Sequence, residues 1–384
     1  INLIWVDPDT DNDTMEKINS DNAFTLSTGD MVFICDNVKK RVPGSSMYTV
    51  YTDDDGNTTG EDFKGENLIT GTIKGVAENR TPTVYFLSGH GEKSLDSYTK
   101  FTTNLTNYNY TAKELNLSET DSVPDDAALV LVAAPSKDIT DAEAEKLNAY
   151  LDNGGNISLL MSPNGGAFAY TNLEAIMKDY GFYMDYDRVS ETNSNYHISG
   201  DKYTIQCELN ELDDDSEATD LTSSLLNQGL YTFMPESRSF RYNDEGGKYT
   251  IAPLITTYDS AEGEPYGGIS DDPEKQSGQM LLAADSTSIA RNDSKMVVFG
   301  NAEFIDDEHV SDDTVIVPVY LFLSTISWMY DSDIDMEIST KSTTNDYISL
   351  QDAGFAKGLM VVLTVIPVAI MAAGIGIWIK RRNS

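Results

Sequence analysis

Two patterns alternate along the chain between Thr81 and Gly181: short runs that are apolar almost throughout, and longer segments whose apolar residues return every three or four positions. The first pattern predicts strands buried on both faces, in TVYFLSG, AALVLVAAP and NISLLMSP, with TAKELNL a shorter and more polar member. The second predicts helices. SLDSYTKFTTNLTNYN places Leu95, Tyr98, Phe101 and Leu105 on one stripe, and NLEAIMKDYG closes the series. DITDAEAEKLNAYLDNGG is the most sharply bounded helix, because Thr140 and Glu143 form a capping box and Gly154 stands where a left-handed cap is wanted. Strands alternating with helices in this order predict an α/β fold with a doubly wound parallel sheet.

The flanks follow other rhythms. Before Thr81 the pieces NLIWVD, MVFICD and MYTVYT read as strands, DDDGNTTGED as an acidic turn and GENLITGTIKGVAEN as a helix. Residues 1–80 therefore read as a β-rich segment, the remainder of a truncated domain, ahead of an α/β domain over 81–330. Within that domain, 201–279 reads as an irregular β-rich insertion in which KYTIQCEL, RSFRY and APLITTY are separated by acidic loops. The main pattern resumes with KMVVFGNAEFI as a strand and VPVYLFLSTISWMYD as an apolar helix, and 331–357 reads as a polar stalk.

The stretch from Gly358 to Ile379 holds 22 residues without a charge. As a helix rising about 1.5 Å per residue it matches a hydrocarbon core of about 30 Å. A transmembrane helix over 358–379 is expected, with Gly374 and Gly376 on a small-residue face for packing against a neighbouring helix. Lys380, Arg381 and Arg382 follow it, which puts the tail 380–384 in the cytoplasm and the large domain outside the cell membrane. An exported domain needs a signal, and INLIWVDPD does not provide one, so an N-terminal anchor is expected to precede Ile1.

Charge narrows the partners. With 63 acidic residues against 26 basic ones the net charge is -37, which excludes nucleic acid and adsorption to anionic lipid as modes of binding. Cys35 and Cys207 have no CxxC spacing, so neither redox nor zinc chemistry is indicated. Their apolar surroundings favour buried free thiols, with a long-range disulfide as the alternative. Asp7, Asp9, Asp11 and Asp13 alternate like the start of a calcium loop, but the sixth position is Asn12 and the twelfth is Ile18, which breaks that pattern. No metal or cofactor is expected.

Candidate chemistry centres on Ser88, Gly89, His90, Gly91 and Glu92, which follow a strand and precede a helix, the usual ligand position in open α/β sheets. The motif lacks the spacing of a dinucleotide fingerprint and the ending of a P-loop. His90 would need a nucleophile and an orienting acid to hydrolyse anything, or further ligands to hold a metal. A binding or interface role for the loop and a plain structural turn both remain open. After AALVLVAAP, Ser136 has no glycine-flanked elbow and no evident base. No catalytic residue is assigned.

TPTVYFLSGHGEKS, LVLVAAPSKDITDAEAEKLNAYLDNGGNISLLMSP, SKMVVFGNAEFID and LFLSTISWMY, in this order, resemble the GldG-like auxiliary subunits of ABC transporters known from gliding-motility systems. WVDPDTD, GDMVFICDNVKKRV and FKGENLITGTIKGVAEN resemble the region just before that family's GHGE strand. The resemblance implies a membrane protein with an extracytoplasmic Rossmann-like domain, related to amidotransferase-like and intraflagellar-transport domains but without a catalytic nucleophile. It also implies an ABC permease and a separate cytoplasmic ATPase as partners. The function expected is therefore that of a non-catalytic, membrane-anchored auxiliary component. The alternatives are a surface module for wall glycan or peptide, where Tyr183, Tyr186 and Tyr196 would stack on sugars, and a hydrolase using His90.

Overall fold

The structure is a computed structural model that describes residues 1–7, 10–19, 26–36, 38–52, 58–63, 65–78, 82–107, 110–212, 218–227, 231–243, 247–268, 276–310, 313–330, 341–342 and 381–382. The chain divides into two units, Ile1–Thr49 with Phe63–Lys341, and Val50–Asp62 with Ser342–Ser384. Everything below concerns the first. The expected membrane segment 358–379, with Gly374 and Gly376, lies outside the described residues. Among the described residues no helix is long and apolar enough to cross a membrane.

The unit opens on helix α1 (Asn12–Ile18), capped by Asp11, whose carboxylate accepts from Thr14 N–H at 3.1 Å. Part of the alternating aspartate run is thus a helix start, with Asp13 in the first turn facing the positive end of the helix. Strands β1 (Met31–Cys35) and β2 (Val38–Val42) form an antiparallel hairpin. With helix α2 (Gly65–Glu78) they enclose a small core of Val42, Met47 and Leu68. Cys35 is half-buried, Cys207 is buried, and both are free thiols.

The main body follows the alternation read from the sequence: β3 (Thr83–Leu87), α3 (Thr99–Asn107), β4 (Thr111–Leu115), β5 (Ala127–Ala133), α4 (Asp141–Asp152), β6 (Ile157–Leu160) and α5 (Thr171–Lys178). Strands β7 (Phe182–Met184), β8 (Asp187–Glu191), β9 (Asp201–Leu209), β10 (Thr232–Met234), β11 (Phe240–Tyr242), β12 (Tyr249–Thr257) and β13 (Ala261–Pro265) come next. The body closes with β14 (Leu281–Ser288), β15 (Ser294–Phe299) and α6 (Ile316–Met329).

Among the described residues the central sheet has twelve strands. Its parallel part runs β4-β3-β5-β6-β15. Chain direction across the sheet reverses between β3 and β5, which makes that gap the topological switch point. Beyond β15 the sheet continues antiparallel through β14, β12 and β9. The expectation of a mostly parallel sheet is corrected to a mixed one. The reason lies in the connections: a tight turn at Ile289–Asp293, with Asn292 and Asp293 at positive φ, returns the chain directly, and no crossover helix is available to bring it back parallel. Within 201–279, β9, β10, β11 and β12 belong to the central sheet, whereas β13 pairs with β8 in a separate one.

Alternation along each parallel strand fills two layers. Val84 and Phe86 of β3, Leu129 and Leu131 of β5, and Val297 and Phe299 of β15 join α3 and α6 in one buried cluster. Tyr85, Leu87, Val130, Val132, Ile157 and Leu159 join α4 and α5 in the other. Such double-sided cover explains why these strands read as unbroken apolar runs. Helix α6 is apolar all round because it is enclosed all round, with Phe322 in ring contact with Phe101, Phe299 and Phe304 at 5.6–5.9 Å.

Asp285 is the misfit of the sheet. It lies on β14, 2% exposed, with Oδ2 unbonded. Burial pushes its carboxyl well above the usual range, against the pull of Lys295. The folded state then holds a proton that the unfolded chain releases above about pH 4, so this residue subtracts stability increasingly as pH rises. Asp285→Asn removes that dependence. It is expected to stabilise the protein by about 1–3 kcal/mol at pH 8 and by much less at pH 4, read by urea unfolding at both values.

Candidate functional site

The switch point is built from the ends of β3 and β5. Ser88 N–H extends the ladder by donating to Leu115 O at 2.9 Å, after which Gly89 and Gly91 both take positive φ, 110° and 88°. The second of these glycines is enforced by space as well as by backbone, because a Cβ at Gly91 would sit 1.9 Å from Ser136 Oγ. Between them the chain turns inward and buries His90, 3% exposed. The His90 carbonyl accepts from Ser136 N–H (2.9 Å), Lys137 N–H (3.2 Å) and Ser136 Oγ (3.2 Å). Chain atoms therefore occupy the crevice between β3 and β5, where a ligand of an open α/β sheet would enter.

The His90 ring lies between two carboxylates. Nδ1 is 3.2 Å from Glu92 Oε1, and Nε2 is 3.1 Å from Glu143 Oε2. Glu92 also accepts from the His90 backbone N–H at 2.7 Å. Glu143 is the capping-box residue of α4: its Oε2 takes Thr140 N–H (2.8 Å) and Thr140 Oγ1 (2.7 Å), while Glu143 N–H donates to Thr140 Oγ1 at 3.4 Å. One carboxylate therefore caps a helix and holds the histidine of another loop. Burial opposes a charge on His90, but the hydrogen bonds to Glu92 and Glu143 outweigh it and raise the pKa of the ring. Burial likewise opposes a charge on Glu143, and bonds from Thr140 and His90 bring its pKa below the usual value. Two carboxylates facing the two ring nitrogens suit the protonated ring, which donates from both. Each ring nitrogen is thus engaged by a carboxylate.

The crest after β5 is engaged in the same way. Ala134 adopts φ 49°, the left-handed bend of a nucleophile elbow, yet carries only a methyl group. The hydroxyl of Ser136 is spent on the His90 carbonyl.

The remaining histidines stand apart from this crest in their bonding. His197 Nδ1 bonds Ile198 O (2.8 Å), and His309 Nδ1 bonds Asp306 Oδ1 (2.7 Å). Asp306, Glu308 and His309 place ligand atoms within 4.8 Å of one another. Asp306 is already an acceptor for Lys93 Nζ (2.6 Å), Glu308 N–H (3.1 Å) and His309 N–H (3.0 Å), so its role is to cap a turn and tie the Lys93 loop to the end of β15. Among the tyrosines considered for sugar stacking, Tyr186 lies against Tyr170 and bonds Glu174, and Tyr196 stacks on Tyr258 with centroids 3.9 Å apart. Each gives a ring face to another tyrosine.

Of the residues singled out from the sequence, the fold brings His90 and Glu92 together and leaves Ser88, Gly89 and Gly91 as the backbone that turns the loop. Sequence reasoning found Glu143 as a cap and missed its bond to His90. It also missed Arg238, a buried arginine against the tyrosine layer, which the polar stretch PESRSFRYN does not single out.

Comparison with known proteins adds the family. The ABC-transporter auxiliary family, described as an ABC-type uncharacterized transport system, matches residues 81–320. The chain belongs to this family. The matched range takes in the whole parallel sheet and the crest at His90. Among solved structures, the N-terminal domain of mmIFT52 is 17% identical, with 66% of this chain and 99% of that one covered and a TM-score of 0.49. A GMP synthase component from Thermoplasma acidophilum is 8% identical, with 66% and 96% covered and a TM-score of 0.32. No curated protein matches the chain.

Proposed function

We propose that this ABC-transporter auxiliary protein is a non-catalytic subunit of the GldG-like kind, anchored in the cell membrane by 358–379, with its α/β domain outside and in contact with the permease. The transporter's ATPase is a separate cytoplasmic partner in this reading. The observation that carries it is the combination, within the family-matched range, of a left-handed bend at Ala134 that bears only a methyl group with a histidine whose two nitrogens both face carboxylates. A hydrolase needs the opposite: a reactive atom on the elbow and a free lone pair beside it. The loop Ser88–Glu92 is then a rigid edge for contact with the permease or with a surface partner.

The test is purification of the tagged full-length protein from membranes of its own cells. A multi-span permease and a nucleotide-binding ATPase are expected to copurify with it, and protease added to intact cells is expected to remove the α/β domain. A protein washed from membranes by carbonate, or one retained with neither ABC component, would overturn the reading. Binding of wall polymers by the domain alone would favour a surface module instead. The stacking of Tyr186 on Tyr170 and of Tyr196 on Tyr258 gives that module less support.

A further inference from the structure

Arg238 is not one of the groups bonded to His90, Glu92 or Glu143 and is buried without an ion-paired carboxylate among the described residues. The segment Ser237–Ser239 crosses the carboxyl ends of β6 and β15. Arg238 N–H donates to Gly300 O (3.0 Å), and its Nη2 donates to Ser162 O (2.9 Å). The side chain is 0% exposed, and both Nε and Nη1 have no hydrogen-bond partner. Its guanidinium instead lies 5.7 Å and 5.5 Å from the ring centres of Tyr170 and Tyr186. A buried cation with open donors is costly to keep, and native folds rarely leave such donors empty without a use for them.

The tyrosine layer beside Arg238 is covered by two glycine pairs. Gly268 N–H donates to Gly166 O at 3.0 Å, and Tyr266 N–H donates to Tyr186 O at 2.9 Å. At Gly267, with φ 83°, a Cβ would meet Asn164 O at 1.9 Å, and at Gly268 it would meet the Tyr186 side chain at 2.8 Å. The strap Tyr266–Gly268 thus lies directly on the loop Asn164–Gly166 and on Tyr186, held by these two backbone bonds and by Arg188, whose guanidinium lies 4.9 Å from the Tyr266 ring centre. Its glycines can absorb the backbone rotation needed to lift it.

We propose that Arg238 is the receptor of a small-oxyanion site, for a carboxylate or phosphate group, which opens when the strap Tyr266–Gly268 parts from Asn164–Gly166. The planar guanidinium suits both groups, and its open donors give the bonds that the fold withholds. Tyr170 and Tyr186 contribute walls rather than donors, since their hydroxyls already bond Pro135 O and Glu174. The position, at the carboxyl ends of β6 and β15, is a general ligand position for this sheet type. This inference is independent of the transporter role.

The test titrates the purified full chain with inorganic phosphate, with acetate, and with chloride at matched ionic strength, following the melting temperature and hydrogen exchange. A saturable rise with phosphate or acetate and none with chloride is expected, and the stronger arm names the group. Exchange should slow in residues 162–170 and 235–241. Arg238→Gln is expected to weaken the response by about tenfold or more. If that variant does not fold, the wild-type exchange pattern decides. No saturable response to either oxyanion, protection confined to other segments, or equal binding by a folded Arg238→Gln would overturn the proposal.

Discussion

Replacing His90 with alanine is expected to cost about 3–5 kcal/mol of folding stability near pH 5.5, because it removes the cation from between two buried carboxylates. Glu92 and Glu143 would then face the cavity of the lost ring, with Glu143 still held by Thr140. The pH dependence follows from the two directions of shift. His90 titrates above its ordinary 6.5 in the folded state, so its contribution is complete below that value and is lost as pH rises through the folded pKa. Glu143 titrates below its ordinary 4.5, so its contribution is complete above that value and is lost as pH falls through the folded pKa. The gap between wild type and His90→Ala should therefore be widest between about pH 4.5 and 6.5, and narrower at pH 9. Urea unfolding at pH 5.5 and 9 measures it. Equal stability of the two proteins at pH 5.5 would show that the imidazolium does not hold the crest together.

Truncating Phe322 to alanine is the second large effect. The ring is fully buried in α6 and touches Phe101 of α3, Phe299 of β15 and Phe304 of the turn that follows. Removing it empties the centre of one layer, and the layers around it are too interlocked to close the gap, so about 3–5 kcal/mol is expected to be lost. For a body of this size that corresponds to a fall of about 6–20 °C in melting temperature. Helical signal should survive at low temperature, since the other layer, built on α4 and α5, does not use this ring. A fall of less than about 3 °C would mean that α6 does not clamp the sheet.

The crest illustrates how far local reading goes. The capping box at Thr140 and Glu143 was legible because it joins residues three apart, and both of its bonds are present. The bond from Glu143 to His90 joins residues 53 apart, and no local spacing carries that information. The strand–loop–helix position of SGHGEKS was likewise legible, but whether its histidine was free depended on what β5 and α4 brought to it. Segment 201–279 read as irregular because β9 and β12 are long strands separated by acidic loops, and local patterning does not reveal which sheet a strand joins. An arginine within RSFRY is ordinary until its surroundings are known, so nothing local marks Arg238.

By itself the sequence determined the parallel layers of the α/β body: strands covered on both faces must be apolar at every position, and the helices that cover them must repeat every three to four residues. It also determined the start of α4, where a cap forms from neighbours. The tertiary structure alone decided that the sheet is mixed, that the switch-point crevice is filled by its own loops, that His90 is held between two carboxylates which raise its pKa, and that Arg238 is buried without an ion-paired carboxylate. Each of these rests on groups far apart in the chain meeting at one place, where burial and hydrogen bonding set a charge that residue type alone leaves open.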